Sequence, residues 1–427
     1  MINQEQVRKV AIVGYNRIPF ARINTAYINA TNQDMLVATL NGLIDKYHME
    51  GELLGEVAGG AVVKSSRESN LIRESVMNTS FDQRTPACDI QQACATGTEA
   101  AIYIANKIAL GQIDVGIAAG VDSASQVPLE LGDKLRRTII AAGRSKTITA
   151  KLKEYLKLRL ADFKPIHSRI DEPKTGLSMG GHTDITARYY NISREEQDAY
   201  VLESHRRMAK AYDDHFFDDM ITSYLGLDKD NNLRRDSSLE KLAKLKPSFD
   251  KINGTLTAGN SSPLTDGGAC VLLASEEWAK KKNLPVLAYI THAEVAAIEY
   301  VKNRQNLLLA PVYAATSMLR RTGLRLQDFD YYEVHEAFAA QVLTTIKVWA
   351  NLELSKDLGL ENNLGPIDMS KVNVTGSSIP AGHPFAATGA RIIATLAKLL
   401  YLKGSGRGFI SVCAARGQGV TMILEKP

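Results

Sequence analysis

One pattern occurs twice in this chain, and the repetition restricts the folds open to it. Cys94-Ala-Thr96-Gly97 opens a helical stretch that runs to Gly111 and gives way to the apolar strand Val115–Gly120. Far downstream, Ala387-Thr388-Gly389 opens a second stretch that stops at Gly404 and leads into Phe409–Cys413. Each copy is a helix, a glycine stop and a buried strand. Alternating strands and helices with strands this rich in Val and Ile predict an α/β fold whose parallel sheets are covered by helices. Two copies predict two similar lobes packed together.

With 427 residues and a mass of 46.7 kDa, the chain exceeds what one core accommodates. It is expected to divide into an N-terminal lobe over 1–130, completed by 255–280, a loop domain over 131–254 and a C-terminal lobe over 281–427. A content of 45% hydrophobic and 23% charged residues belongs to a soluble globular protein. The four cysteines have no paired spacing, which argues against a disulfide framework or a zinc module and for free thiols. No metal site is expected. The N-terminal residues lack the apolar run of a secretory leader, and no stretch reaches the 18 or so apolar residues of a membrane span. A cytoplasmic protein is expected.

The basic character is concentrated in one segment. Residues 131–165 hold ten Lys or Arg against three Asp or Glu, whereas the whole chain carries a net +4. Leu152, Tyr155, Leu156 and Phe163 recur near helical spacing among these cations, the pattern of a basic amphipathic helix. Three anionic or protein surfaces fit it besides a plain solvated face: the phosphates of coenzyme A, an anionic lipid surface and a partner subunit. Nucleic acid does not, because the segment lacks interleaved aromatics and a recognisable module. Beyond it, Ser193-Arg-Glu-Glu196 is a capping box that opens a long helix.

Three reactive side chains lie at strand or helix ends within the two repeats. Cys94 sits at the head of the first helix, where backbone N–H groups and the helix dipole favour a thiolate. His383 lies in Gly382-His383-Pro384, and Cys413 in Ser-Val-Cys413-Ala-Ala-Arg-Gly417-Gln-Gly419. In open α/β sheets such ends face the ligand crevice, so one cleft between the lobes is expected, with acyl-transfer chemistry. Cys88 and Cys270 read as small inert hydrophobes.

These motifs, together with Met179-Gly180, Ser193-Arg-Glu-Glu-Gln-Asp, Thr257-Ala-Gly259-Asn260-Ser-Ser262-Pro-Leu-Thr-Asp266-Gly267 and His335-Glu336-Ala337-Phe338, occur in an order that resembles the thiolases along nearly the whole chain. The resemblance implies a duplicated α-β-α-β-α layered fold with an inserted loop domain. It assigns Cys94 as nucleophile, His383 as its base and Cys413 as the acid/base for the leaving carbanion and the incoming thiol. One oxyanion site would use His383 with His335. The other would use backbone N–H groups of Cys94 and of the turn after Cys413, kept tight by Gly417 and Gly419. Gly259, Asn260 and Ser262 would line the pantetheine arm, with Met179 among the substrate-binding residues. Coenzyme A and acyl-CoA are then substrates, and no cofactor is implied.

A histidine at 335, where many thiolases carry asparagine, resembles the β-subunit type of fatty-acid β-oxidation complexes. This implies thiolytic cleavage of 3-oxoacyl-CoA to acetyl-CoA and a shortened acyl-CoA. It also implies a homodimer or homotetramer, an associated hydratase/dehydrogenase α subunit, and peripheral membrane contact through 131–165. A biosynthetic acetoacetyl-CoA thiolase and a non-catalytic acyl-CoA-binding scaffold remain as alternatives; a malonyl-decarboxylating ketoacyl synthase fits less well, because Cys413 suits carbanion protonation. Three positions depart from the family pattern: Ser377 after Gly376, Pro380 before Gly382, and Arg416 near Cys413, whose bulk would narrow the acyl pocket or shift an oxyanion donor.

Overall fold

The computed structural model describes residues 7–167 and 171–427. The first half supplies strands β1 (Val10–Arg17), β2 (Glu56–Gly60), β3 (Ala87–Asp89) and β4 (Val115–Ser123), with helices α1 (Asn32–Tyr47) and α2 (Thr96–Ala109). The chain then leaves the sheet and returns with β5 (Thr265–Ser275). The second half consists of β6 (Ala288–Ala297), β7 (Tyr331–Val334), β8 (Gly406–Ala414) and β9 (Gln418–Lys426). These nine strands form one path in the order β7-β8-β9-β6-β1-β5-β4-β2-β3, and the short Ala21–Arg22 pairs alongside β5.

The duplication is visible in that order. From the centre outward, β1-β5-β4-β2 matches β6-β9-β8-β7, and the halves meet where Val10–Ile12 pairs with Ala288–Ile290. The sheet is mixed, not parallel as the sequence pattern predicts. Only β2/β4, β2/β3 and β7/β8 run parallel. The reason is connection length: β8 turns straight into β9 through residues 415–417, and a hairpin can join only antiparallel neighbours. Strands β1, β4 and β5 are buried along their whole length, which explains why they read as continuous apolar runs.

The helix after His383, Ala387–Lys403, buries 13 of its 17 residues. A helix buried all round lies inside the molecule, and this one packs against α2. Gly97 and Gly389 face each other at the crossing. A Cβ built on Gly389 would stand 2.4 Å from the Thr98 nitrogen, and one on Gly97 would stand 2.7 Å from the Ala390 nitrogen. The two backbones therefore touch, and the N-terminal ends of the equivalent helices meet at one point.

Between β4 and β5 the chain first forms α3 (Asp133–Arg144) and α4 (Ile148–Tyr155), which pack on each other. One amphipathic helix through Phe163 is not what forms: α4 ends at Tyr155, and Phe163 lies in a separate helical turn, Leu160–Phe163. A core-packed face is excluded as well. Helix α4 buries no residue, and Ile148, Leu156 and Leu160 are 85%, 74% and 93% exposed. Next come α5 (Met179–Tyr189) and α6 (Arg194–Asp213). Helix α6 carries the expected capping box: Glu196 N–H donates to Ser193 Oγ at 3.1 Å, and Ser193 N–H donates to the Glu196 carboxylate at 2.7 Å.

Gly389→Ala tests the crossing. Alanine gains about 1 kcal/mol in helix propensity, but its methyl group would meet backbone that cannot rotate away, an overpacking cost of about 3 kcal/mol or more. The expected net result is a lower urea midpoint with an unchanged m-value; a raised midpoint would show that the two backbones have room between them.

Candidate active site

The helix crossing brings two reactive groups together from opposite ends of the chain. Cys94 directly precedes α2, and His383 precedes the helix Ala387–Lys403, named α9 below after α7 (Ala310–Thr322) and α8 (Ala339–Ala350). The His383 loop is fixed at several points. Gly382 has φ 106°, a conformation side chains rarely adopt. The His383 N–H donates to Thr265 Oγ1 at 2.6 Å, and Ala386 N–H donates to the buried Asp122 at 2.7 Å. Asp122 also accepts from the N–H groups of Val62 and Val63. One carboxylate at the end of β4 thus ties the strand floor of the first half to the histidine loop of the second.

His383 Nε2 lies 3.2 Å from Cys94 Sγ, and its Nδ1 lies 2.7 Å from Thr388 Oγ1. In the tautomer that carries its proton on Nδ1, Nε2 is free to accept the thiol proton. His335 follows β7; its ring centroid is 4.2 Å from that of His383, and its Nδ1 lies 2.8 Å from Ser378 Oγ. One donor atom from each of Cys94, His335 and His383 falls within 4.8 Å of the others. Cys413, next to last in β8, is almost fully buried, and the charge of Cys94 acts on it. All four candidate reactive residues meet at one place.

Burial controls their protonation. It pushes the Cys94 thiol up to about 12, reinforced by the charge of Asp122 and opposed by the backbone N–H groups of Ala415 and of Cys94 itself. Cys94 keeps partial access to solvent. The expected lowering by the helix terminus is therefore reversed, because α2 begins only at Thr96 and desolvation outweighs the dipole. Burial, then the Arg391 charge, takes His383 down to about 3; burial with the charges of His383 and Arg391 takes His335 well below its usual range. Cys413 rises well above an ordinary thiol through burial and then the Cys94 charge. The resting site is a neutral thiol beside a neutral imidazole, a nucleophile with a base at hydrogen-bond distance.

Gly417 lies in the turn after Cys413, whereas Gly419 lies in β9 opposite Cys413, and each is a glycine for its own reason. Gly417 has φ 66°, and a Cβ on Gly419 would lie 2.4 Å from Pro311. Arg416 also has a positive φ, 68°, a conformation that costs a residue with a Cβ about 1–2 kcal/mol. It is held there by Glu172, a fully buried carboxylate that accepts from the Arg416 N–H at 2.9 Å and pairs with its guanidinium at 3.0 Å. Tyr300 OH donates to the other oxygen of Glu172 at 2.7 Å. Arg416 is thus tied to Glu172, whose charge also acts on Cys94. Nothing in the sequence around Glu172 signals this role.

A cleft of about 400 Å³ opens beside the site, lined in part by Arg22, Arg234, Lys241, Gly259, Ser261 and Ile379. Ile379 belongs to the turn that leads to His383. Of the residues expected at a pantetheine arm, Gly259 lines this cleft. Asn260 does not: its side chain is spent internally on Asp198, on the Thr255 carbonyl and on the Thr257 N–H. Ser262 N–H donates to the Ala337 carbonyl. Met179 packs on the core cluster that holds Tyr300 and Phe338, and neither Ser262 nor Met179 is among the cleft-lining residues. Cys270 is buried within β5, and Cys88 lies in β3.

Comparison with known proteins gives a consistent result. The family model for the thiolase N-terminal domain matches residues 10–277, and that for the thiolase C-terminal domain matches 284–426. The 3-ketoacyl-CoA thiolase of Yersinia pestis (strain Pestoides F) is 39% identical over 424 residues, covering 98% of this chain and 97% of that protein. The crystal structure of the Bacillus anthracis acetyl-CoA acetyltransferase superposes with a TM-score of 0.82 at 30% identity, covering 98% and 99% of the two chains. The human mitochondrial 3-ketoacyl-CoA thiolase in complex with CoA gives 0.81 at 27% identity, covering 99% of each.

The protonation states set a pH dependence of stability. His383 is neutral in the folded site and protonates near 6.5 once unfolded, so stability falls as the pH drops below about 6.5 toward 3. The raised thiols act oppositely. Unfolded cysteine ionises near 8.5, so stability falls as the pH rises above about 8.5. Urea midpoints measured across pH should form a plateau between these limits, and His383→Gln should flatten the acid limb; an acid limb unchanged in the variant would assign that slope to other groups.

Proposed function

Because the chain belongs to the thiolase family, we propose that it cleaves 3-oxoacyl-CoA with coenzyme A, giving acetyl-CoA and an acyl-CoA two carbons shorter. The observation that carries this reading is the Cys94 thiol 3.2 Å from a neutral imidazole whose other nitrogen is tied to Thr388. As Cys94 Sγ bonds to C3 of the substrate, its proton passes to His383 Nε2. The C2–C3 bond breaks, and the electron pair left on C2 takes a proton from Cys413, releasing acetyl-CoA. Coenzyme A then gives its thiol proton to Cys413, attacks the acyl-Cys94 carbonyl and expels the Cys94 thiolate, which recovers its proton from His383. Backbone N–H groups at Cys94 and Ala415 would stabilise one oxyanion, and His383 with His335 the other.

The cleft holding Arg22, Arg234 and Lys241 beside Gly259 and Ser261 is the proposed coenzyme A site, with cations for the phosphates at the mouth and small residues along the arm. The degradative direction is preferred because the 39%-identical relatives are named 3-ketoacyl-CoA thiolases. The acetyl-CoA acetyltransferase among the similar structures keeps the condensing direction as the second reading. The assay is coenzyme A-dependent loss of 3-oxoacyl-CoA absorbance over a series of chain lengths. Cleavage that extends to long chains, and that falls by about 10⁴-fold or more in Cys94→Ala, supports the proposal; activity confined to acetoacetyl-CoA supports the biosynthetic reading, and none on any chain leaves a scaffold.

The exposed Ile148, Leu152, Leu156, Leu160 and Phe163 among lysines and arginines support a peripheral contact of 131–165 with an anionic lipid surface, apolar side chains entering the headgroup layer and cations meeting phosphates. No described helix is long and apolar enough to cross a membrane. The protein should float with vesicles containing phosphatidylglycerol, and Leu156→Asp/Leu160→Asp should abolish flotation while leaving thiolysis of short chains intact. Flotation unchanged by the double substitution would move the surface to a partner such as a hydratase/dehydrogenase subunit or a second copy of the chain.

A further inference from the structure

The two histidines of the site are held by different partners, His383 by Thr388 and His335 by Ser378. His335 Nε2 is buried with no hydrogen-bond partner, and a ring nitrogen of His335 lies within 4.8 Å of Cys94 Sγ and of a His383 nitrogen. An orphaned polar atom aimed into a reaction site has a function only if its proton is in the right place. The other ring nitrogen, Nδ1, is 2.8 Å from Ser378 Oγ, and Arg391 Nη2 donates to the same oxygen at 2.8 Å.

Ser378 is fully buried, so its hydroxyl proton needs an acceptor. A guanidinium has donors only. The serine oxygen accepts from Arg391, and His335 Nδ1 is the acceptor left for its proton. In the opposite arrangement, with Nδ1–H donating to the serine, the serine proton would be stranded without a partner at a cost of about 1–3 kcal/mol. Arg391 is itself anchored: both of its terminal nitrogens donate to Ser377 Oγ at 3.1 Å, and the Glu333 carboxylate lies 3.9 Å away. Ser377, one of the departures from the family pattern, is thus part of the support.

We propose that Arg391, acting through Ser378, is a positioning residue that locks His335 as the Nε2–H tautomer, so that a hydrogen-bond donor faces the oxygen on which negative charge develops. His383 turns its Nε2 to the Cys94 thiol and its Nδ1 to the Thr388 hydroxyl. The two rings stand 4.2 Å apart, and the Nε2–H of His335 supplies a donor beside the nitrogen that meets the thiol. The orientation of this charge stabilisation rests on the thiolysis proposed above; the tautomer itself does not.

The test reads the tautomer directly. Two-bond proton–nitrogen correlation spectra of the full chain labelled with ¹⁵N-histidine distinguish Nε2–H from Nδ1–H rings, and His335→Asn identifies the His335 signal. Wild type should show His335 as Nε2–H. Ser378→Ala should move it to Nδ1–H or a mixture and lower kcat about 10- to 100-fold, less than outright loss of an oxyanion donor, with KM for coenzyme A nearly unchanged. Ser378→Thr, which keeps the hydroxyl, should restore both. Arg391→Met should mimic Ser378→Ala. An Nδ1–H signal in wild type overturns the proposal whether or not any variant folds, and so does a folded Ser378→Ala that keeps both the wild-type signal and the wild-type kcat. If wild type shows the Nε2–H signal but cleaves no 3-oxoacyl-CoA, the tautomer lock stands and the thiolysis reading falls.

Discussion

The close approach of Gly97 to Gly389 is the constraint on which the site depends. Each glycine lies in the first turns of one of the two equivalent helices, and neither position has room for a Cβ beside the other helix's backbone. Because both helices start at that contact, the residues just before them are forced together: Cys94 from one half, the His383 loop from the other. Gly120 extends the same logic, since a Cβ there would stand 2.0 Å from the Ala386 carbonyl oxygen. Asp122, two residues further along β4, closes the arrangement by accepting from the Ala386 N–H.

That closeness has an electrostatic consequence. A site built where two buried helices and a sheet converge excludes water, and every ionisable group in it is pushed toward its neutral form. Cys94 and Cys413 are held as thiols, His383 and His335 as neutral imidazoles. A ready-made thiolate is not what this geometry provides. It provides a short path between sulfur and nitrogen, 3.2 Å long. Asp122 is raised to about 7 by the same burial, against three backbone N–H groups that favour its charge.

The neighbouring turn shows how strain is held in place. Arg416 occupies a left-handed conformation where glycine would be cheaper, and the buried carboxylate of Glu172 holds both its backbone N–H and its guanidinium. Glu172 arrives from the segment that follows the basic helices α3 and α4. The excursion between β4 and β5 is thus attached to the turn after Cys413 at one defined ionic point.

Much of this was legible in the sequence. The repeated helix–glycine–strand pattern announced two equivalent halves, the capping box at Ser193 announced α6, and the order of motifs brought Cys94, His335, His383 and Cys413 into consideration together. Those features are local or periodic, so they survive in a one-dimensional record. What tertiary structure decided was everything set by distance across the chain. Hairpin geometry made the sheet mixed, and desolvation reversed the expected shift of the Cys94 thiol. Close packing of strangers in sequence gave Thr388, Ser378, Arg391 and Glu172 their roles. Periodicity records which face of an element is buried, but it does not record which partner the buried polar atom meets there, and in this site the partners determine where each proton resides.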